Sequence, residues 1–298
     1  MSTQPKSQKE EQAVFKLFSL GVSTNRDEWV YDLNITNLEN KIQFFIKEYN
    51  QQLKDYNGEV SQIDTTIAWS RDLKKKFVLN KITKFGKENF RKAVYRPFIT
   101  KEFYLDYLLI DVKGLIETFF PNDKKNIVIC ITFHKQVPFV IQVVNTIFDA
   151  GIGSRATQSL PLYYYSNGKK IDNITDWGLN QFQNHYQDQT ITKQDIFHYT
   201  YAVLHNPAYR QKYQLNLKRE FPRLPYYDNF QQWVAWGQKL MDQHINYEAA
   251  KKYKLKRIDI DSNKANKPKL KADKEAGKIH DEFRRNFMMS PERPCPVD

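Results

Sequence analysis

The sequence predicts an α+β fold in which a sheet-containing N-terminal half precedes a helical subdomain. Apolar runs rich in Val, Ile and Phe at 127–133 and 138–148 are typical of strands in a sheet core. Beyond residue 172 the apolar residues recur instead at helical spacing. The predicted regions are a disordered N-terminus (1–12), an α/β region (13–171), a helical subdomain (172–250) and a basic, partly disordered tail (251–298).

Individual elements can be placed in the N-terminal half. Thr36 and Glu39 have capping-box spacing, and the apolar residues from Leu38 to Leu53 that follow predict an amphipathic helix. Asp111 is predicted to cap a second helix. The glycine-containing segment 151–154 is predicted to form a hairpin turn rather than a dinucleotide-binding loop.

The helical half has recognisable helix starts. Asp176 and Thr192 are predicted N-caps, and Pro at the first helical position after Asn206 begins a further helix. Apolar spacing over 230–245 predicts one more amphipathic helix. Because the stretch 172–209 is rich in caps and turn residues, we interpret it as fixing the helical half against the sheet half.

Composition narrows the function. The formal charge is +12 and 14% of residues are aromatic, a combination that favours nucleic acid as a partner, although a solvated basic surface has the same composition. Cys130 and Cys295 cannot build a disulfide framework or a zinc site. The polar N-terminus and the absence of long apolar runs predict a cytoplasmic protein with no membrane partner.

Catalytic motifs are missing from the sequence. It contains no phosphate-binding loop of the Gly-x-x-x-x-Gly-Lys type, no dinucleotide fingerprint and no histidine spacing that suggests a metal site. The segment Asn206-Pro207-Ala208-Tyr209 is similar to the Asn-Pro-Pro-Tyr motif of amino-group DNA methyltransferases, but its second Pro is replaced and a helix cap explains it better. We therefore expect no enzymatic activity, cofactor or metal in this chain.

Three polar clusters, at residues 24–27, 69–71 and 95–98, are candidates for contacting DNA bases. Arginine can bond two acceptors of guanine in the major groove, and asparagine can do the same for adenine, whereas lysines hold phosphates without reading sequence. An alternative for Arg96 is that it ties down its own loop, and residues 172–180 fit caps better than base contacts. The predicted DNA contacts are Thr24, Asn25, Arg26, Asp27, Trp69, Ser70, Arg71, Lys74, Lys75, Arg96, Lys101 and Arg155.

These clusters resemble a known family. The segments 24–31, 69–71, 95–98, 161–163 and 172–248 are similar to the C-terminal specificity domain of type ISP single-polypeptide restriction-modification enzymes. The resemblance covers residues 13–278 and is expected to end after Lys278. In that family one polypeptide also carries a nuclease, a helicase-like ATPase and an adenine-N6 methyltransferase.

The resemblance implies that the chain selects a duplex DNA site, with the α/β region 13–171 as its target-recognition region. It also implies that methyltransferase, helicase and nuclease modules act on that site in cis or in trans. Those modules are absent from this sequence, so we expect a split subunit, an excised domain or a gene remnant. Two alternatives remain open. The chain could be a protein-interaction module that clasps the methyltransferase, or a residual methyltransferase fragment.

Overall fold

The computed structural model describes residues 12–56, 58, 64–121, 124–153 and 157–251, and two further strands at 270–273 and 278–281. The chain forms two compact units, Met1–Ala250 and Lys251–Asp298. In the second unit, β11 (Leu270–Asp273) pairs antiparallel with β12 (Lys278–Asp281). The disorder predicted for residues 1–11 and for the rest of the tail falls outside the described residues.

In the first unit all ten described strands precede the last four described α-helices, and the α+β class is confirmed. The helices are α1 (Asp27–Val30), α2 (Ile35–Asp55), α3 (Arg71–Val78), α4 (Ile116–Phe119), α5 (Asp176–Tyr186), α6 (Lys193–His205), α7 (Pro207–Lys212) and α8 (Phe230–Ile245). The strands are β1 (Ser19–Leu20), β2 (Tyr31–Asp32), β3 (Phe90–Arg96), β4 (Ile99–Tyr104), β5 (Val128–His134), β6 (Val137–Val144), β7 (Ile147–Phe148), β8 (Gln158–Pro161), β9 (Tyr163–Ser166) and β10 (Lys169–Asp172).

One four-stranded sheet has the order β2-β4-β3-β7, with β7 parallel to β3 and the other neighbours antiparallel. Apolar residues of this sheet form a core with the apolar face of the amphipathic helix α2. Leu73 and Phe77 of α3 belong to the same core. Asn34 caps α2 by accepting a hydrogen bond from the backbone N–H of Asn37. The predicted capping box at Thr36 is therefore wrong, because the helix begins one residue before Thr36 and Asn34 is its N-cap.

The second four-stranded sheet, β1-β8-β5-β6, is antiparallel throughout and has an apolar core on each face. The predicted strand at 138–148 ends at Val144, since β7 leaves this sheet and pairs with β3 of the other. The turn at residues 150–153 consequently joins strands of two different sheets. A hairpin turn at this position is a wrong prediction.

The helices after residue 175 pack against the second sheet. Helix α6 is buried along its whole central part and begins with a capping box between Thr192 and Asp195, as predicted. Asn206 caps α7, also as predicted. Helix α5 is capped by Thr175 rather than by Asp176, which becomes its first residue. The same apolar cluster contains strand and helix residues, so the change at 171/172 is one of secondary structure within a shared core.

Asn173 holds the start of the helical half against the sheet. Its side chain is fully buried, accepts a hydrogen bond from the N–H of Leu17 at 2.7 Å and donates to the carbonyls of Leu17 and Pro161, both at 2.9 Å. These bonds use both N–H groups of the amide and one acceptor position of its oxygen. Asn173 is thus unavailable for reading adenine, in agreement with the interpretation of this stretch as structural. Within the described part of the chain, no helix is both long and apolar enough to span a membrane.

Candidate nucleic-acid interface

The guanidinium of Arg26 is buried and clamps three chain segments together. It donates to the carbonyl of Leu109, and to Ser70 Oγ at 2.6 Å. It also donates to Asp111 Oδ1 at 3.1 Å, and its Nε lies 3.5 Å from the carbonyl oxygen of Ala68. The side chains of Arg26 and Asp111 are 0% and 7% exposed. A guanidinium in this position stabilises the fold and does not reach a base edge.

Burial lowers the pKa of Arg26, while its ion pair with Asp111 acts in the opposite direction. Desolvation therefore opposes the charge, and the ion pair with its surrounding acceptors compensates for it. Arginine stays protonated in proteins even when its pKa falls. The pair is an example of a buried, fully hydrogen-bonded charge.

The other residues of the loop that precedes α1 divide between inside and outside. Thr24 is buried, donates to Asp27 Oδ1 at 2.5 Å and accepts from the backbone N–H of Arg26 at 3.2 Å. Asn25 is exposed in a left-handed conformation, with φ of 52°, and donates from Nδ2 to Asp111 Oδ2 at 2.7 Å. Of the four predicted contacts at residues 24–27, Thr24 and Arg26 are therefore removed from the candidate set by their burial.

Tyr95 and Arg96 lie at the end of β3 in a second charged cluster. The ring of Tyr95 carries the Arg96 guanidinium carbon at 3.9 Å and the Lys101 ammonium at 3.9 Å from its centroid. Its hydroxyl donates to Asp27 Oδ2 at 3.1 Å. Arg96 Nη1 donates to Asp149 Oδ1 at 2.7 Å and to the carbonyl of Tyr95 at 2.6 Å. One nitrogen of Arg96 is thus fixed by the protein.

The Arg96 guanidinium is only partly enclosed. Its side chain is 36% exposed, and Nη2 has only a long contact of 3.9 Å to Asp27 Oδ2 among the described residues. Burial raises the pKa of Asp149, and the charge of Asp27 raises it further. The hydrogen bond from the N–H of Gly151 and the guanidinium of Arg96 act in the opposite direction and lower this pKa. Ring stacking and the Asp149 bond together orient a partly exposed fork, which is the geometry required for bidentate bonding.

Helix α3 presents a row of cations. Arg71, Lys74 and Lys75 are exposed at positions i, i+3 and i+4, and none has an ion-pair partner among the residues the structure describes. Ser70 caps this helix by accepting from the N–H of its third residue. Lys76 is used differently, because its ammonium donates to three backbone carbonyls of the loop that precedes α4.

Trp69 is a scaffold residue rather than an exposed stacking platform. Its indole N–H donates to the carbonyl of Asp64 at 2.8 Å, and its ring packs on Phe77 at 5.0 Å and Tyr49 at 5.7 Å. Arg155 falls outside the described residues.

Sequence reasoning missed the two carboxylates that organise the clusters. Asp111 was predicted to cap a helix, which is wrong: α4 begins at Ile116 after Leu115, and Asp111 instead bonds to Arg26, Ser70 and Asn25. Asp149, which directly follows the apolar run 138–148, was assigned no role from the sequence. A buried arginine needs a buried acid, so an isolated Asp at the end of an apolar segment was the available signal.

The motif similar to Asn-Pro-Pro-Tyr has no catalytic geometry. Asn206 Oδ1 accepts from the backbone N–H groups of Ala208 at 2.8 Å and Tyr209 at 3.4 Å, which is ordinary helix capping. The Tyr209 ring is buried and its hydroxyl donates to the carbonyl of Arg223. The expected helix cap is confirmed.

Comparison with known families gives a match to the Type ISP C-terminal specificity domain over residues 13–289. The chain belongs to this family. The match confirms the resemblance inferred from the residue clusters and continues past Lys278, so the expectation that it ends there is wrong. A specificity domain recognises the target while other modules catalyse, which confirms that this chain is not itself the enzyme.

Solved structures support the same placement of this specificity domain. The cryoEM structure of the DrdV–DNA complex matches with 37% identity and a TM-score of 0.83, over 93% of this chain and 29% of that chain. A nuclease-deletion mutant of the Type ISP enzyme LlaGI, in complex with a DNA substrate mimic, matches with 29% identity and a TM-score of 0.70, over 80% and 23%.

The ATP-dependent Type ISP enzyme LlaBIII bound to DNA shares the fold, with 24% identity and a TM-score of 0.73, over 83% of this chain and 17% of that chain. The specificity domain thus spans less than a third of the length of each of these three proteins. No curated protein matched the chain.

Proposed function

We propose that this specificity domain recognises a duplex DNA sequence for a type ISP restriction-modification system, directing adenine methylation and cleavage that other modules perform. Methyltransferase, helicase and nuclease modules would act with it in cis or in trans, in the cytoplasm. The oriented, partly exposed guanidinium of Arg96 is the observation that carries the proposal. It is supported by family membership and by the DNA complexes of the related structures.

The cations of α3 are suited to the phosphate backbone. Lys74 and Lys75 are exposed and unpaired among the described residues, so each could replace counterions of the duplex. Such contacts set position and affinity without reading sequence. Arg71 lies in the first turn of the same helix, where it is a candidate base contact.

Arg96 is the stronger candidate for reading sequence. A mobile arginine loses side-chain entropy when it binds, whereas this guanidinium is already held by Tyr95 and Asp149. The N–H groups that are not bonded to Asp149 or Tyr95 can bond O6 and N7 of guanine, worth about 1–3 kcal/mol of discrimination. Lys101, on the same ring, adds positive charge beside it. Asn25 is the remaining exposed amide of the predicted set and a candidate for adenine.

Selection from a randomised duplex library followed by sequencing would define the site, and fluorescence anisotropy would compare it with a scrambled duplex. We expect Arg96→Ala to lower affinity for the selected site by roughly ten- to hundredfold and to leave the scrambled duplex almost unchanged. Lys74→Ala should weaken both duplexes equally. Failure of the wild-type protein to bind any duplex at low salt would contradict the proposal. Unchanged specificity in both Arg71→Ala and Arg96→Ala would favour a clasp on the methyltransferase.

A further inference from the structure

A cleft of about 950 Å³ opens at a different place in the same unit. Its walls come from the β3–β4 and β9–β10 hairpins, the end of β6 and the residues at the end of α8. None of its lining residues is among the DNA contacts predicted from the sequence. Its volume lies in the range of small-ligand sites, so it suits a nucleotide-sized group and not a duplex.

Positive charge is concentrated on the strand walls of this cleft. Three lysines line it: Lys92 on β3, Lys125 before β5 and Lys170 on β10. They form no ion pair with any residue in the described part of the chain. Of the acidic lining residues, Asp242 lies in the last turn of α8 and Glu248 in the short 3-10 helix that follows it. The ammonium of Lys170 also lies 3.5 Å from the centroid of the Tyr163 ring, whereas Lys92 and Lys125 have neither an ion pair nor a ring contact in the described residues. Ammonium groups around one opening are suited to a phosphate group.

A buried amide also lines the cleft. Gln142 on the edge strand β6 is 5% exposed, and its side chain has no hydrogen-bond partner among the described residues. The buried amides of Asn126 and Asn173 are by contrast bonded to backbone groups through both the nitrogen and the oxygen. The Gln142 amide is not one of the fully buried side-chain groups that lack a hydrogen bond, so it is open to the cleft and available to a ligand. Gln can bond N6 and N7 of adenine through its amide.

An exposed ring completes the set. Tyr247, which follows α8, is 55% exposed, and its ring contacts Phe98 of the β3–β4 turn at 4.6 Å. Phe98 thus supports the ring, while more than half of the residue stays open to the cleft and solvent. Bases stack readily on such a supported tyrosine.

We propose that this cleft binds one unpaired nucleotide of a DNA strand, preferentially adenine. The phosphate contacts the lysines, the base stacks on Tyr247 and its edge bonds to the Gln142 amide. The inference rests on the proposed DNA recognition and extends it, because it assigns a second site that takes a single strand.

Anisotropy with a labelled single-stranded oligodeoxyadenylate tests the cleft directly. We expect Tyr247→Ala to weaken binding roughly tenfold without changing the salt dependence. Lys92→Ala should reduce the slope of log affinity against log salt by about 0.7. Gln142→Leu, which keeps the side-chain volume, should abolish the preference for oligodeoxyadenylate over oligodeoxythymidylate. Trp236→Ala, at another exposed ring of α8, is the matched control and should have less than about a twofold effect.

Circular dichroism of each variant separates loss of binding from loss of folding. If folded Tyr247→Ala and Gln142→Leu proteins bind single strands as the wild type does, the cleft is not the site. Duplex binding by the same wild-type preparation distinguishes the two proposals. Duplex affinity with no single-strand affinity overturns only this inference, whereas loss of both contradicts the DNA-recognition proposal as well.

Discussion

Replacing Arg26 by methionine removes the charge that joins α1, α3 and the segment before α4, while the apolar stem of the side chain is kept. Removing one partner of a buried ion pair costs about 3–5 kcal/mol, because the remaining charge stays buried without compensation. Asp111 would keep two donors, Ser70 Oγ at 2.9 Å and Asn25 Nδ2 at 2.7 Å. We therefore expect the lower end of that range, about 3 kcal/mol.

Urea and thermal unfolding followed by circular dichroism would measure the change for Arg26→Met. For a unit of this size, about 3 kcal/mol corresponds to a fall in Tm of roughly 6–12 °C. Arg71→Met is the matched control, because that arginine is exposed and unpaired in the described residues, and its effect should stay within about 0.5 kcal/mol. Equal, small effects of the two substitutions would refute the assignment of Arg26 to the scaffold.

A double-mutant cycle with Asp111→Asn sharpens the test. If the two side chains stabilise the fold through each other, the cost of Arg26→Met must be smaller in the Asp111→Asn background. Additive losses would show that Arg26 acts mainly through Ser70 and the carbonyls.

Three further predictions concern other parts of the molecule. Replacing Lys74 and Lys75 together by alanine should reduce the slope of log duplex affinity against log salt by about 1.8, since each phosphate contact contributes about 0.9. An unchanged slope in an anisotropy titration would place the phosphate contacts elsewhere. Burial lowers the pKa of His205 to about 4, so folding favours the neutral imidazole. The stability gained in this way is complete above the unfolded-state pKa near 6.5 and should fall by at most about 3 kcal/mol as pH decreases from 6.5 towards 4. His205→Asn should flatten this part of the profile of stability against pH. Gly237→Ala places a Cβ 1.9 Å from a backbone carbonyl oxygen of α6, so α8 must move. The free energy of unfolding in a denaturation assay should therefore decrease by about 1–3 kcal/mol. Gln238→Ala, on the exposed side of the same helix, should leave it nearly unchanged.

Local signals predicted much of the fold. Thr192 and Asn206 cap the helices expected from their sequence context, because capping depends on residues only three or four positions apart. The end of the strand at 138–148 was missed for the opposite reason. Alternating or continuous apolar residues show that a segment is extended, yet they do not show that β7 pairs with β3 some fifty residues earlier in another sheet.

The candidate site shows the same limit more sharply. Arg26 and Arg96 are both arginines in polar, aromatic surroundings, and the sequence does not separate their roles. The partners that separate them are distant, since Asp111 lies 85 positions from Arg26 and Asp149 lies 53 from Arg96. Arg26 becomes fully enclosed, whereas Arg96 keeps 36% of its side chain exposed. Residue types therefore identified the neighbourhood of the site, and only the three-dimensional pairing separates scaffold from candidate reader.

The loop that precedes α1 explains why the scaffold residues matter to the proposed reading. Arg26 bonds to Ser70, the cap of the cationic helix α3, while Asp27 accepts from Tyr95, on which Arg96 is stacked. One short loop thereby fixes the cations proposed for phosphates relative to the guanidinium proposed for a base. Sequence discrimination requires that spacing to be constant, because a contact displaced by about 1 Å loses most of its value. A buried arginine can thus control DNA specificity without touching DNA.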